Sequence, residues 1–537
     1  MRRHRVRAAV VAAAVGVAAA GLAAGPAHAR PASAAADGRP NVLVVMTDDQ
    51  SASDLRSMPN VQRLLVRQGT SFTDAITSFP LCCPSRASFL TGQYAHNHGV
   101  SGNFAPSGYY GMTHRENTLP VWLQKAGYHT ALIGKYLNGY GARNRYEIPP
   151  GYDDWHGALD LSSYDYFNFT INENGKLHTW GDPVYANALI EFAHVVERQE
   201  IGNLGDFVRT LGRLFIPGNF GTKLARNYSN DVTAGITDTI LRRQARAAKP
   251  FFVWWAPAAP HREDVNSQRG ATWADPRPAP RHEALMSRYR LPRPPSFDEA
   301  DVSDKPRLIR EIPRLDAAGV ARLERNNQGR LAALQSVDEG VAKLVATLRR
   351  TGQLRNTVIV FVSDNGWVQG QHRIPGDKFV PYEESIHVPL VLSGPGIPRG
   401  RTVDNQVAAN VDLTPTFLAL AGGRAGRTPD GLSLLPFIND PGRAPHRMLP
   451  VEATGKLFAA EGFPQAWDQA YSGLRSRQWK YVRWSYGDRE LYDLRRDPYE
   501  LRNLAAEPRY AATVTRLERQ RAALDRCRGR ACTTVPG

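Results

Sequence analysis

The stretch NVLVVMT at residues 41–47, followed at once by Asp48 and Asp49, decides the fold class of this chain. It is a short, unbroken apolar run rich in valine, which is typical of a strand buried on both faces of a parallel sheet. Similar runs follow further along the chain, at residues 130–134, 251–256, 357–363 and 388–394. The sequence therefore predicts a sheet whose central strands are covered on both sides.

Segments with apolar residues at steps of three and four separate most of these runs, at residues 58–69, 118–127, 230–248 and 321–352. This alternation predicts a layered α/β domain in which helices sandwich a large, mostly parallel sheet. Near residue 440 the pattern changes to short strand-like pieces, and a helix is expected from about residue 508 to 526. We therefore predict a main domain over residues 37–439 and a smaller α+β domain with antiparallel strands over residues 440–537.

The N-terminal segment, residues 1–29, has the features of a secretory signal peptide. Arginines precede a stretch rich in alanine and valine, and Ala27-His28-Ala29 forms a cleavage site for signal peptidase. No later segment offers the run of apolar residues that a membrane helix needs. We therefore expect a secreted or cell-envelope protein without a stable membrane span.

The composition is that of a globular protein, with 42% hydrophobic and 22% charged residues in 537. Without the four arginines of the leader, 63 basic residues face 51 acidic ones, a net charge of +12. Such a balance favours anionic partners. The arginines are scattered rather than clustered with aromatic residues, so nucleic-acid binding is not expected.

The chain contains four cysteines, in two pairs. Cys527 and Cys532 suit a small disulfide loop in an exported protein. The alternative, a metal knuckle, would need two further soft ligands, and none is nearby in the sequence. Cys82 and Cys83 are direct neighbours, which rarely bridge each other, and this pair requires another explanation.

Polar side chains stand at three predicted strand ends, where ligands bind in α/β sheets. Asp48 and Asp49 follow the first strand, Asp364 and Asn365 follow the strand at 357–363, and His261 follows the strand at 251–256. Taken singly, Asp-Asp is more often a helix cap and Asp-Asn-Gly a turn. Together, three carboxylates and an amide are hard oxygen ligands that suit Ca²⁺ or Mg²⁺.

The segment LCCPSRASFLTG at residues 81–92 resembles the signature of the type I sulfatases, in which a cysteine is oxidised to formylglycine. Cys82 has proline two residues on and arginine four residues on, so it matches the converted cysteine, and Cys83 does not. The segments TDDQ (47–50), GYHTALIGKYLNGY (127–140), APH (259–261), SDNG (363–366) and DKFVPYEESIHVPLVLSGPG (377–396) resemble further motifs of that family. LCCPSR, HNHGV and GKYLNGYG look closest to its N-acetylglucosamine-6-sulfatase branch. The resemblance implies an alkaline-phosphatase-like fold.

The resemblance also implies roles for individual residues. Cys82 would become formylglycine (3-oxoalanine) through a formylglycine-generating enzyme during maturation. The cation, Ca²⁺ with Mg²⁺ as the alternative, would be bound by Asp48, Asp49, Asp364, Asn365 and the modified residue 82. Lys135 and Lys378 would neutralise the sulfate, Arg86 would hold the hydrated aldehyde, and His261 or Lys378 would protonate the leaving alcohol.

One position departs from the family pattern, because many sulfatases have a histidine where this chain has Leu137.

The implied function is hydrolysis of sulfate monoesters, with a sulfated glycan, a 6-sulfated amino sugar or an aryl sulfate as substrate. The Arg- and Pro-rich stretch at 262–316 is expected to cover one face and to bind sulfate. The alternatives are phosphonate or phosphate monoester hydrolysis, and a catalytically silent protein that binds sulfated glycans.

Overall fold

The computed structural model describes residues 38–181, 227–263, 275–440, 442, 447–454 and 470–534. The leader predicted at residues 1–29 lies outside these ranges. So does the part of the Arg-rich stretch from 264 to 274.

Ten strands form one large sheet. They are β1 (Asn41–Thr47), β2 (Gly69–Ile76), β3 (His129–Lys135), β4 (Asp154–Ala158), β5 (Phe169–Glu173), β6 (Lys176–Trp180), β7 (Phe251–Ala256), β8 (Thr357–Ser363), β9 (Leu390–Ser393) and β10 (Arg401–Ala409). Their spatial order is β10-β2-β9-β8-β1-β7-β3-β4-β5-β6. The five strands from β8 to β4 run parallel to one another, and β10 runs parallel to β2. The predicted fold class, a mixed and mostly parallel sheet, is confirmed.

The strand predicted at 388–394 is β9, and it runs antiparallel to both β8 and β2. Strands β5 and β6 add an antiparallel edge next to β4. In the centre, every residue of β1, β7 and β8 is buried. Continuous apolar runs give this result because both faces of these strands pack against other elements.

Helices cover the two faces of the sheet. The longer ones are Cys82–Thr91, Leu119–Lys125, Ser229–Gln244, Ala317–Arg350 and Leu413–Ala421, and short ones are Pro59–Val61, Ala95–His98, Arg307–Arg310, Glu383–Ile386 and Leu435–Asn439. The predicted helix at 58–69 is shorter than expected, since its single α-helical turn continues as a π-helix over Gln62–Val66 and then gives way to β2. The helix Cys82–Thr91 ends at Gly92, whose φ of 68° suits a glycine.

A second sheet lies in the C-terminal part of the chain. Its four antiparallel strands are β11 (Leu449–Ala453), β12 (Tyr471–Arg475), β13 (Trp479–Trp484) and β14 (Arg489–Asp493), and the helix Ala511–Leu524 follows them. Cys527 and Cys532 form a disulfide, as the sequence predicts. One hydrophobic cluster joins Phe79 and Tyr94 of the main part to Leu474 and Trp484 of the second sheet. The smaller sheet therefore shares a core with the larger one, and the domain boundary at 439/440 stays a prediction.

No helix within the described ranges is long and apolar enough to cross a membrane.

Candidate active site

The carboxyl ends of β1 and β8 bring the predicted oxygen ligands together. Thr47 pairs with Ser363 in the sheet, so the next residues of both strands emerge side by side. The backbone N–H of Asp49 donates to Oδ1 of Asp364 at 3.1 Å, and Nδ2 of Asn365 donates to Oδ1 of Asp49 at 2.7 Å. These side chains and that of Asp48 are all buried. The expected cluster at the sheet edge is present.

The backbone at Asp49 has a left-handed conformation, with φ of 66°. Such a conformation is uncommon outside glycine and costs free energy unless the surroundings hold it. Arg330, in the helix Ala317–Arg350, donates a hydrogen bond from Nη2 to the carbonyl of Asp49 at 2.6 Å and another to Asp54 at 3.0 Å. Sequence reasoning missed Arg330, because a mid-helix arginine carries no motif.

Cys82 begins the helix Cys82–Thr91 and is fully buried between charged groups. Lys378 donates from Nζ to its Sγ atom at 2.8 Å, and Sγ lies 3.4 Å from Oδ1 of Asp48. Burial first, and then the charge of Asp48, raises the pKa of this thiol to about 12. The side chain of Cys83 lies elsewhere, with Sγ 3.7 Å from the carbonyl oxygen of Asn138. The two neighbouring cysteines therefore have different environments, and only Cys82 lies in the cluster of charged groups.

Arg86 follows Cys82 by one helical turn and binds the metal-ligand candidates. Its Nε donates to Oδ2 of Asp364 at 2.7 Å, and its Nη1 donates to the carbonyl of Lys135 at 2.8 Å. Its Nη2 lies 3.7 Å from Oδ2 of Asp48. Burial opposes the charged form, but Asp364 and Asp48 raise the pKa of Arg86 above its usual value. The hydrogen bonds of Arg86 are thus to the Asp364 carboxylate and to the Lys135 carbonyl, and none is to the Cys82 sulfur.

Two buried lysines face the first two aspartates. Lys135, at the end of β3, donates to Oδ2 of Asp48 at 2.5 Å, and Lys378 donates to Oδ1 of Asp49 as well as to Cys82. Burial disfavours both ammonium groups, yet the aspartates raise the pKa of each lysine. Burial alone would raise the pKa of the Asp49 carboxyl. The charge of Lys378 outweighs burial and holds this pKa below its usual range.

His261 follows β7 and lies beside Asp49, with Nε2 3.6 Å from Oδ2 of that carboxylate. Its Nδ1 lies 2.5 Å from the carbonyl oxygen of Arg262. A carbonyl can only accept, so in the neutral ring the proton is on Nδ1 and not on Nε2. Burial lowers the pKa of His261 well below its usual value.

Tyr164, which the sequence did not reveal, lies beside the predicted site residues. Leu137 packs in the apolar core, and the next residue, Asn138, donates to the hydroxyl of Tyr164 at 2.5 Å. The Tyr164 ring stacks on His261 with centroids 4.2 Å apart, and Nζ of Lys135 lies 4.4 Å from the ring centroid. Tyr164 therefore contacts two predicted site residues. Its segment, LSSYDYF, has no feature that would have marked it.

Three histidines outside the predicted site, His96, His98 and His372, have partners of their own. Nε2 of His98 is 3.0 Å from the hydroxyl of Ser88, and Nδ1 of His96 is 2.8 Å from Glu452. Nδ1 of His372 is 2.7 Å from Glu299.

The donors present fit a divalent cation. Asp48, Asp49, Cys82 and His261 each place one donor atom within 4.8 Å of the others. Oδ2 of Asp49 and Oδ1 of Asn365 are buried, and neither has a hydrogen-bond partner among the described residues. Buried oxygens of this kind cost free energy unless something binds them, and a cation would bind both.

A sequence profile of the family named Sulfatase matches residues 40–423 of the chain. The chain belongs to the sulfatase family. A second profile, described as the C-terminal part of N-sulphoglucosamine sulphohydrolase, matches residues 370–526 of this sulfatase. The resemblance noted in the sequence is thus confirmed, and the activity of the family is sulfuric ester hydrolysis.

Relatives of this sulfatase include an arylsulfatase of Volvox carteri, 31% identical over 93% of this chain and 77% of that protein. The N-acetylglucosamine-6-sulfatase of Homo sapiens is 30% identical over 88% of this chain and 82% of its own length. A solved structure, described as a complex with its substrate D-glucosamine-2-N,6-O-disulfate, has a TM-score of 0.68 and 23% identity. It covers 90% of this chain and 96% of that one. At that identity the structural likeness supports the fold alone.

Proposed function

We propose that this sulfatase is exported and hydrolyses the 6-O-sulfate ester of an N-acetylglucosamine-type sugar, with residue 82 as formylglycine. The observation that carries the proposal is the position of the Cys82 sulfur, 2.8 Å from Lys378 and 3.4 Å from Asp48. An unmodified thiol with a pKa of about 12 would be a poor nucleophile at neutral pH. The hydrate of a formylglycine would supply two hydroxyl groups, one to attack sulfur and the other to expel sulfate.

The cation would be held by Asp48, Asp49, Asp364 and Asn365, together with residue 82. When bound, it would supply positive charge to the sulfate oxygens and to the attacking hydroxyl. Three carboxylates and one amide suit Ca²⁺, which accepts six to eight oxygen ligands, and Mg²⁺ is the alternative. Arg86 supports this set, because it fixes the Asp364 carboxylate through Nε.

Lys135 and Lys378 would neutralise the sulfate oxygens from two sides of residue 82. A sulfate monoester repels nucleophiles through its own negative charge, so fixed cations in a dry site lower the barrier. Both ammonium groups are buried and already oriented by Asp48 and Asp49.

Of the two candidate acids, the geometry favours Lys378 as the group that protonates the leaving alcohol. His261 has its proton on Nδ1, where the carbonyl of Arg262 accepts it, so Nε2 has none to give. Lys378 brings an ammonium group directly to residue 82. His261 would instead accept a hydrogen bond from a substrate hydroxyl or lie against the cation.

The substrate class rests on the names of the relatives and on charge, not on the Arg-rich stretch. Arg277 pairs with Glu263 and Asp165, Arg281 pairs with Asp231 and Glu339, and Arg314 pairs with Asp298. These arginines are engaged within the protein and do not support the expectation that they bind sulfate. We therefore do not propose Arg277, Arg281 or Arg314 as sulfate-binding residues.

Export is supported by two independent features. The predicted signal peptide at 1–29 would direct the chain out of the cytoplasm. The disulfide between Cys527 and Cys532 is typical of proteins that mature in an oxidising compartment. Because Cys82 is fully buried in the folded chain, a formylglycine-generating enzyme would have to act before folding is complete.

The test is the specificity constant, kcat/KM, for 6-sulfated N-acetylglucosamine compared with nitrophenyl sulfate, at low and at raised salt. We expect the sugar sulfate to be preferred at both salt concentrations. Arginines that are paired within the protein attract the substrate little, so added salt should change the preference little. A preference for the aryl ester at both would contradict the substrate proposal and leave the sulfatase activity intact. Phosphonate and phosphate esters in the same assay test the alternative activity, and no turnover of any ester would support the catalytically silent alternative.

A further inference from the structure

His372 lies outside the catalytic cluster, and its environment is unusual. The side chain is completely buried, and Nε2 has no hydrogen-bond partner among the residues that the structure describes. Its Nδ1 is 2.7 Å from Oε2 of Glu299. A carboxylate accepts, so the proton is on Nδ1 and the lone pair of Nε2 faces into the protein. An unsatisfied buried nitrogen of this kind requires an explanation.

Two carboxylates lie near the imidazole. Donor atoms of His372, Glu384 and Glu500 all lie within 4.8 Å of one another. Glu500 is buried, and Glu384 is partly buried. The Tyr382 ring stacks on the imidazole with centroids 4.1 Å apart. The three donors thus lie close together, and the stacked ring and the hydrogen bond to Glu299 fix the orientation of the imidazole.

The nearby positive charges do not balance the carboxylates. Lys480 lies 2.6 Å from Glu500 but also 2.8 Å from Glu383, so its charge is shared. Lys305 lies 3.2 Å from Glu299 and 2.9 Å from Asp304. Arg475 also lies 3.1 Å from Glu383 but shares its charge with Asp74. Four carboxylates, those of Glu299, Glu383, Glu384 and Glu500, thus face three cationic side chains, and a further cation would restore the balance.

The geometry points to a second metal site, in which His372, Glu384 and Glu500 bind a zinc ion. One imidazole nitrogen and two carboxylate oxygens are a ligand set for zinc, unlike the all-oxygen sets of calcium. The hydrogen bond from Nδ1 to Glu299 is the arrangement that orients a metal-binding histidine and fixes its tautomer. This site includes none of the residues proposed for the sulfatase reaction, so the zinc proposal does not depend on the proposed substrate.

The donors need only a small adjustment to bind one ion. Zinc bonds of about 2.0–2.2 Å require donor atoms that lie closer together than 4.8 Å, the distance within which they lie here. Glu384 can provide the movement, because it is partly exposed and its Oε1 accepts a single long hydrogen bond, 3.4 Å from the Ser296 hydroxyl. A water molecule would take the fourth position.

The ion would join three segments of the chain. His372 lies in the turn that leads to Lys378, and Glu384 is in the short helix Glu383–Ile386, whose Ser385 carbonyl accepts a hydrogen bond from Gly366. Glu500 follows the second sheet. The site would therefore fasten the C-terminal part of the chain to the segments on both sides of the active site.

The experiment uses the full chain with Asp49→Ala, which weakens the catalytic cation site, after removal of metals with a chelator. Zinc chloride is titrated by calorimetry, and the melting temperature is recorded with and without zinc. We expect one zinc equivalent and a higher melting temperature with zinc. In the same background, His372→Gln and Glu500→Gln should abolish this binding. Glu299→Gln should weaken it by about 10- to 100-fold, as expected for the residue that orients the histidine.

The matched control is His114→Gln, since His114 is an exposed histidine that also lies beside a glutamate, Glu116. It should leave the zinc stoichiometry and affinity unchanged. If Asp49→Ala is folded by circular dichroism and binds no zinc, the proposal is wrong. Equal zinc binding with and without His372→Gln would also overturn it. Should His372→Gln fail to fold, Glu384→Gln decides, because that side chain is partly exposed.

Discussion

The Nζ atom of Lys378 lies 2.8 Å from the Sγ atom of Cys82, and both side chains are buried. The same ammonium group donates to Asp49. One lysine thus connects the residue that would become the nucleophile with a proposed ligand of the cation. Its replacement should therefore affect chemistry more than substrate binding.

Lys378→Met keeps a side chain of similar length and removes the charge and the donors. We expect kcat for a sulfate ester to fall by about 10²- to 10⁴-fold, the usual loss when a proton donor is removed. Steady-state kinetics with an activated nitrophenyl sulfate and with a sugar sulfate separate the two roles, because the activated leaving group needs less protonation. An equal loss for both esters would show that Lys378 acts through charge alone.

Tyr164 is expected to position Lys135 and His261 through its ring. Tyr164→Phe keeps the ring and loses the bond from Asn138, so kcat/KM should stay within a few-fold of the original. Tyr164→Leu loses stacking and the cation–π contact, and a loss of at least about tenfold is expected from misplaced charges. The profile of kcat/KM against pH should shift in the leucine variant, since His261 loses a neighbour. A profile unchanged from the original would contradict a positioning role.

Removal of the cation should abolish activity and lower stability. Without the cation, the carboxylates of Asp48, Asp49 and Asp364 repel one another in a buried site, so the folded state is less stable. Binding of Ca²⁺ to the folded state should in turn raise the melting temperature by mass action. Elemental analysis should show calcium or magnesium, and Asn365→Ala should weaken binding of that ion. Activity that survives exhaustive chelation, with no ion detected, would contradict the proposed role of the cation.

The contact between His96 and Glu452 should make stability depend on pH. Burial opposes it, but the hydrogen bond and charge of Glu452 raise the pKa of His96 above 6.5. The contribution of His96 is therefore complete below the unfolded-state value and is lost as pH rises through the higher folded-state pKa. Denaturant unfolding at about pH 6 and about pH 8.5 should show a larger loss for the original protein than for His96→Gln.

A useful comparison is His98, which burial keeps neutral by lowering its pKa to about 3. Over that same pH range its protonation does not change, so it adds no pH dependence. If His96→Gln and the original protein lose stability equally between the two pH values, His96 does not hold its proton in the folded state.

The sequence was sufficient for the central strands and for the convergence of the oxygen ligands. β1, β7 and β8 are continuous apolar runs, and the polar residues after β1 and β8 meet because those strands are parallel neighbours. Five strands of the main sheet were not foreseen, β2, β4, β5, β6 and β10, and β2 and β5 illustrate the reason. Their sequences, GTSFTDAI and FTINE, contain polar residues at buried positions, so neither a continuous apolar run nor clean alternation marks them.

The rest of the site depends on contacts between distant segments. Tyr164 reaches Lys135 and His261 from a short 3₁₀ turn, and Arg330 reaches Asp49 from the middle of a 34-residue helix. Neither has a local pattern, since an arginine in a helix is ordinarily a surface residue. Only the packing of the helix against the sheet edge makes Arg330 a partner of Asp49.

The central claim is that residue 82, and not residue 83, carries the reaction, and the most direct measurement compares sulfate ester hydrolysis by Cys82→Ala and Cys83→Ala. We expect no detectable turnover for Cys82→Ala. We expect most of the original activity for Cys83→Ala, because the Sγ atom of Cys83 lies 3.7 Å from the carbonyl oxygen of Asn138 and outside the charged cluster. Circular dichroism of both variants confirms that each is folded. Equal loss of activity in the two folded variants, or turnover by Cys82→Ala, would contradict the account.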